Sequence, residues 1–264
     1  MPLRSLELSY SPGISAPLGG RKVITRRLRS CRASNLDVYC LQMAKTQHHD
    51  EIEIKLRVQD VAAVRSRLKR LKARKISPRT YESNTLYDTS RQNLRRRGQL
   101  IRIRVERPAS SFGKRQRNEN GPVTLTYKGP SLTSANAAKT ALHAKSRGHF
   151  KINEEIEVSV AGGDNLEMIL GALGLHPSFR YEKFRTTYAL PGIQDLKIEL
   201  DETPVGIYLE LEGPPARIDR AARLLGYGRS DYMKETYGSL YLEDCRSRNQ
   251  KPGDMLFPTT KKLH

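Results

Sequence analysis

Eight segments of this chain alternate between apolar and polar residues, and that period of two constrains the fold more than any other feature. In EIEIKLRV (51–58) the apolar side chains are Ile52, Ile54, Leu56 and Val58, and the charged ones are Glu51, Glu53, Lys55 and Arg57. Successive strand side chains point to opposite faces, so all four charges share one face. The other segments are Asn84–Asp88, Gln99–Glu106, Pro122–Gly129, Lys151–Val160, Phe179–Leu190, Asp195–Glu202 and Gly206–Gly213. Alternation this strict, with short links between the later segments, favours antiparallel pairing over a buried parallel sheet. TPV, between the last two segments, has hairpin spacing. Helical spacing falls at Val61–Leu71, Asp164–Gly174 and Ala216–Gly226, and SANAAKTALHAKS, in the polar connection that runs to Phe150, is a fourth helical candidate. In the second of these Asp164 can cap the first turn, Glu167 holds the capping-box position and Gly174 suits a left-handed stop. The expected fold is mainly β (α+β): a closed eight-stranded antiparallel β-barrel with amphipathic helices packed outside.

The polar faces then become informative. They carry Arg102 and Arg104, Lys128, Glu155 and Glu157, Lys183 and Arg185, Lys197, Glu199 and Asp201, and Glu210 and Glu212, in addition to the first segment's four. One charge pair at i, i+2 is an ordinary solvated strand face. Seven of eight segments carrying such charge is a different matter if helices cover the apolar faces, because the charge then points into the barrel. Buried carboxylates without partners are costly. One ligand satisfies acids and bases together: a polyphosphate carrying a divalent metal. Mg²⁺ and Mn²⁺ take carboxylate and phosphate oxygens, and Arg and Lys take phosphate oxygens through charge-assisted hydrogen bonds.

The net charge of +19 agrees with an anionic partner without choosing one. Cys31, Cys40 and Cys245 make neither a disulfide framework nor a zinc motif. His48, His49, His143 and His149 lack ligand spacing and read as surface residues, and Arg91–Gln99 reads as a solvated basic loop. No GxGxxG, Walker loop, HExxH or GxSxG occurs, and no apolar run approaches the ~20 residues of a membrane helix. Residues 1–48 have the composition of a disordered basic arm, of residues upstream of a true start at Met43, or of a transit peptide. The expected organisation is that arm, a barrel domain over 49–244 and a basic tail over 245–264, in a cytoplasmic protein.

The residues also resemble a known family. EIEIK fits the ExExK signature of the CYTH superfamily, the triphosphate tunnel metalloenzymes, and LIRIR, LTYKGP, EEIEV, EKFRTTY, IELDE and GIYLELEG follow in family order over roughly 49–243. The likeness is greatest to the class IV adenylate cyclase-like branch, whose relatives include thiamine triphosphatases and inorganic triphosphatases. It implies a charged tunnel and metal-dependent cleavage of a triphosphate. Carried over position by position, it implies that Glu51, Glu53, Asp201, Glu210 and Glu212 hold Mg²⁺ or Mn²⁺. It implies that Lys55, Arg102, Arg104, Lys128, Lys183 and Arg185 hold phosphate. Glu51, Glu53 and Lys55 are the catalytic candidates; Glu155, Glu157 and Glu199 are acids of less definite role. The family pattern often has Arg near the mid-chain acidic pair, where this chain has Asn153, with Lys151 as the nearest base. Tyr232 and Lys234 are candidates for the base, against ordinary packing and solvated charge.

The reading that follows is a metal-dependent triphosphate hydrolase acting on tripolyphosphate, thiamine triphosphate or a nucleoside triphosphate. The alternative is a class IV adenylate cyclase forming cyclic AMP and pyrophosphate. The third is a non-catalytic polyphosphate or nucleic-acid binder, which would need external cations and would tolerate loss of Glu51 and Glu210. Nucleic-acid contact would fall to the basic tails.

Overall fold

A computed structural model describes residues 49–113, 121–131, 148–161 and 163–258. The arm over 1–48, the helical stretch expected within 130–150 and the end of the tail lie wholly or largely outside them. The strands are β1 (His49–Val58), β2 (Arg74–Asp88), β3 (Leu100–Pro108), β4 (Val123–Lys128), β5 (Lys151–Val160), β6 (His176–Ala189), β7 (Lys197–Thr203) and β8 (Gly206–Glu212). Every pairing is antiparallel, and the strands close in the order β1-β5-β4-β3-β2-β6-β7-β8. The expected barrel is therefore present.

Helices cover the apolar outer faces. In α1 (Val61–Arg70) Asp60 caps the first turn by accepting from the Ala63 amide at 3.0 Å, and Val64 and Leu68 turn inward. In α4 (Pro215–Leu224) Pro215 occupies the first turn, where its missing N–H costs nothing, and Ile218, Ala221 and Ala222 are fully buried. These two helices enclose Ile52, Ile54 and Leu56 of β1 with Leu209 and Leu211 of β8. Arg67 of α1 donates to the Leu225 carbonyl at 2.8 Å, tying the helices together. Gly226 turns the chain with φ +83°, and a Cβ there would meet that Arg67 guanidinium at 2.8 Å. In α3 (Gly163–Ala172) Leu166 and Leu170 pack over Tyr87, Ile103 and Val123, and the helix stops at Gly174 with φ +75°. A single turn, α2 (Asn93–Arg96), follows β2; its first amides bond the Asp88 carboxylate at 2.9 and 3.0 Å.

Two features depart from expectation. β2 is fifteen residues long and starts ten residues before the expected Asn84, with register shifts between Lys75 and Thr80 that accommodate Pro78. Tyr237–Ser247, to which the sequence reading assigned no element, forms a helix, α5, capped by Thr236. Its Tyr237 and Leu240 pack against Tyr181 and Tyr208, which share the inward faces of β6 and β8, so α5 sits on one end of the barrel. Residues after α5, read from the sequence as tail, run along β6. Met255 exchanges backbone bonds with Arg180 and Glu182 and is fully buried, and the Phe257 ring packs tilted against Phe184 and edge-on against Phe112. β6 has no β7 partner at that level, so the segment satisfies an otherwise open edge. Met255→Ala is expected to lower stability by about 2–5 kcal/mol in a urea unfolding experiment; an unchanged midpoint would mean that the segment is not part of the cooperative unit.

Candidate active site

The inward face of each strand meets those of its neighbours in a lumen of ≈ 210 Å³. Thirteen of the sixteen residues singled out in the sequence line it: Glu51, Glu53, Lys55, Arg102, Arg104, Lys128, Glu155, Glu157, Lys183, Arg185, Glu199, Glu210 and Glu212. Strand pairing explains the convergence. Glu53 faces Glu212 and Lys55 faces Glu210 across β1 and β8; Lys128 faces Glu155 across β4 and β5; Arg185 faces Asp201 across β6 and β7.

The acids and bases neutralise one another. Lys55 Nζ lies 2.8 Å from Glu210 and 3.5 Å from Glu53, and Lys151 Nζ lies 2.6 Å from Glu53. Lys128 Nζ reaches Glu51 at 2.5 Å and Glu155 at 3.2 Å. Arg185 binds Asp201 through Nε and Nη2 at 2.7 and 2.6 Å, Glu199 through Nη1 at 2.5 Å, and Glu210. Arg102 bridges Glu157, Thr126 and the Tyr181 hydroxyl at 3.1–3.2 Å. Burial works against ionisation of Glu53, but Lys55 and Lys151 outweigh it and hold its carboxyl below the usual range. Burial opposes the Lys55 charge as well, and Glu210 and Glu53 more than restore it.

Asp201 stands apart. It is fully buried, does not line the lumen, and accepts from Lys183 at 2.9 Å and from the Tyr237 hydroxyl at 2.7 Å besides Arg185. Its oxygens are committed to holding two of the phosphate-binding candidates in place. Tyr232 and Lys234 are away from the lumen: the Tyr232 hydroxyl donates to Asp219 at 2.8 Å, and Lys234 Nζ donates to the Gly148 carbonyl at 3.2 Å. Asn153, where the family pattern has Arg, donates to the Gly129 carbonyl at 2.8 Å, and Lys151 supplies the local positive charge.

Other members of the site escaped the sequence reading. Tyr237 lies with its ring 5.1 and 5.2 Å from the Lys55 and Lys183 ammonium groups, inside the range of a cation–π contact. Glu82 is 2% exposed, with Lys183, Arg185 and Arg104 at 3.5–3.7 Å. Burial disfavours its charge, yet Lys183, Arg185 and Arg104 bring its pKa down to about 2. The signal was the alternation of Glu82, Asn84 and Leu86 along a strand whose first half was not recognised.

The donor set fits a hard divalent cation. Glu51 and Glu53 on β1 and Glu210 and Glu212 on β8 are carboxylates that line the lumen from adjacent strands, with Glu53 directly opposite Glu212. Among the described residues no three acidic, histidine or cysteine side chains converge on one point as they stand. Each of these carboxylates is ion-paired with a lysine or arginine, and an arriving phosphate would compete for those cations.

Two acids go the other way. Burial, only partly offset by Lys128 and reinforced by Glu51 and Glu157, lifts Glu155 to about 7. Burial, opposed by Arg185 and reinforced by Asp201 and Glu210, lifts Glu199 to about 7. Between the ordinary 4.5 and about 7 the folded chain therefore holds protons that the unfolded chain releases, so these groups make stability fall as pH rises through that window. Glu82 contributes with the opposite sign, but its share is complete above 4.5 and is lost only as pH falls towards 2. Glu199→Gln is expected to flatten the fall in urea midpoint between pH 4.5 and 7. Parallel wild-type and variant curves would contradict this.

The pattern of the CYTH domain family matches residues 49–237. A protein of Methanocaldococcus jannaschii, named as a proposed adenylate cyclase, is 24% identical over 176 residues, 66% of this chain and 83% of that protein. A solved Vibrio parahaemolyticus structure, also described as a proposed adenylate cyclase, superposes with a TM-score of 0.57 at 18% identity, covering 74% of this chain and 98% of its own. A Pyrococcus horikoshii structure gives 0.53 at 22% identity, covering 74% and 99%. At these identities the two structures bear on the fold, a barrel shared almost end to end.

Proposed function

The chain belongs to the CYTH domain family, and from that premise we propose that it is a divalent-metal-dependent enzyme that hydrolyses triphosphates inside its barrel. The observation that carries this reading is the lumen itself: seven acids and eight bases, most of them shielded from solvent, in mutual contact around a space too charged for an apolar ligand. A triphosphate with its metal replaces each internal ion pair by a new one, acid to metal and base to phosphate.

In this reading Glu51, Glu53, Glu210 and Glu212 hold Mg²⁺ or Mn²⁺. When bound, the metal supplies charge neutralisation for the phosphate oxygens and a polarised water. Lys55, Arg102, Arg104, Lys128, Lys183 and Arg185 bind and orient the phosphate chain and stabilise charge developing on its oxygens. Asp201 and Glu82 position Lys183 and Arg185 from behind. Among the described residues no helix is long and apolar enough to cross a membrane.

Two similar proteins, described as proposed adenylate cyclases, favour a second reading, adenylate cyclase. The same walls serve both reactions: water attacking the terminal phosphorus releases orthophosphate, whereas a ribose 3′-hydroxyl attacking the α-phosphorus releases pyrophosphate and forms cyclic AMP. The test is product analysis with tripolyphosphate, thiamine triphosphate and ATP in Mg²⁺ or Mn²⁺, with Glu51→Gln alongside. Orthophosphate lost in the variant supports the hydrolase, and cyclic AMP with pyrophosphate supports the cyclase. Tight metal-dependent binding without turnover would sink both in favour of a binder.

A further inference from the structure

A second cavity, ≈ 550 Å³, opens on the outside of the barrel where β6 passes into β7. Its wall is apolar: Ile76, Leu190, Ile193 and Leu196, with Arg74 at one edge. Ile76 is 56% exposed and belongs to none of the hydrophobic clusters. One exposed isoleucine is ordinary on a protein surface; the place of Ile76 at the rim of a concave apolar wall is what gives this cavity the character of a ligand site.

Lys197 and Glu212 stand between this cavity and the lumen, and both residues line both spaces. They face each other across β7 and β8 and form an ion pair at 2.9 Å, with the Lys197 side chain 56% exposed. A phosphate chain leaving the lumen at this end meets the Lys197 ammonium first and the apolar wall next. The wall is held in shape without a ligand. The Ile193 amide bonds the Leu190 carbonyl at 3.2 Å, and Arg217 of α4 bonds the Gln194 carbonyl and, at 2.5 Å, the Asp195 carboxylate. Gly213 passes so close to the Asp195 carbonyl that no side chain fits between them.

Size separates the two spaces. The lumen has ≈ 210 Å³ and charged walls, which suits a phosphate chain. The outer cavity has ≈ 550 Å³, within the range of small-molecule sites, about 300–1,000 Å³. We propose that this cavity receives the organic end of an organic triphosphate, a planar nitrogen heterocycle packed on Ile76 and the 190–196 loop and stacked by the Arg74 guanidinium, while its phosphates occupy the lumen. This rests on the triphosphate reading of the lumen and adds that the substrate is an organic triphosphate rather than tripolyphosphate.

The test is titration calorimetry on the full chain in Mg²⁺, comparing wild type with Ile76→Glu and Arg74→Ala. The ligands are imidotriphosphate, which has no organic end, the β,γ-imido analogue of ATP, and thiamine triphosphate. Both substitutions lie at exposed positions outside the cores, and a thermal melt checks that the fold is kept. The expected result is a loss of about tenfold in affinity for at least one organic ligand in Ile76→Glu, with a smaller loss in Arg74→Ala. Imidotriphosphate should stay within about twofold of wild type. Equal losses for all three ligands, or no loss for either organic one, would overturn the assignment of the cavity and leave the lumen reading standing. A wild-type chain that binds no imidotriphosphate would overturn the lumen reading, and this inference with it.

Discussion

Lys55→Ala is expected to be the most damaging single substitution in the barrel, for stability and for activity alike. Lys55 is 4% exposed, and its ammonium serves Glu210 at 2.8 Å and Glu53 at 3.5 Å. Removing it leaves two buried carboxylates without that cation. Breaking a buried pair from one side costs about 3–5 kcal/mol, because the abandoned charge remains desolvated. The carboxylates can escape by taking up protons, so the deficit should shrink as pH falls, and a divalent ion should restore part of it at neutral pH. Urea midpoints for variant and wild type, with and without Mg²⁺ at two pH values, measure both effects. Turnover of whichever triphosphate the wild type accepts should fall by on the order of a hundredfold or more, the scale for losing one preorganised charge partner. A variant as stable as wild type and unresponsive to Mg²⁺ would show that Lys55 does not neutralise those carboxylates.

Asp201→Asn should rank next. Asn keeps the shape but puts an NH₂ where one carboxylate oxygen now sits among donors. Both oxygens of Asp201 are taken, Oδ1 by Arg185 Nε and Oδ2 by Lys183, Arg185 Nη2 and the Tyr237 hydroxyl. Either orientation of the amide sets donor against donor. The expected cost is about 3 kcal/mol or more. Lys183 and Arg185 would lose their orientation, and KM for triphosphate should rise by about tenfold while the number of metal ions bound is unchanged. Tyr237→Phe removes only one of the four donors and should cost about 1 kcal/mol. If Asp201→Asn abolished metal binding and left stability intact, Asp201 would instead be a metal ligand, the role its resemblance to the family implies.

Much of this was legible because a barrel strand writes its two faces into alternate residues. Glu51, Glu53 and Lys55 declare a common face without any knowledge of their neighbours, and the structure brings that face together with those of Arg102, Lys183 and Glu210. Glu82 was missed because Pro78 and a polar stretch hide the first half of β2, which bulges to admit them. A bulge breaks the period that makes a strand readable. Asp201 shows a different limit. Its parity on β7 is inward, as expected, yet inward residues on a tightly filled barrel end behind one another, and depth along a face is not written in sequence. The helix α5 was legible but passed over, since Tyr237, Leu240, Tyr241 and Cys245 recur at helical spacing. The run to Met255 was unreadable for a third reason: Met255 is buried by what it meets on β6 at the barrel end, with no period of its own. The outer cavity likewise comes from the meeting of β2, the 190–196 loop and β8, segments far apart in the chain.

The central claim is that the lumen takes a triphosphate and a divalent metal together, each neutralising the partners the other displaces. Calorimetric titration of imidotriphosphate into the protein tests it directly, in Mg²⁺, in Mn²⁺ and in excess chelator, with Glu53→Gln as the control. The expected result is binding that strengthens by at least about a hundredfold when metal is present, a coupling of about 3 kcal/mol, and that loses this gain in the variant. Equal affinity in chelator and in metal, unaffected by loss of the carboxylate, would contradict the claim and reduce the lumen's acids to counter-ions for its bases.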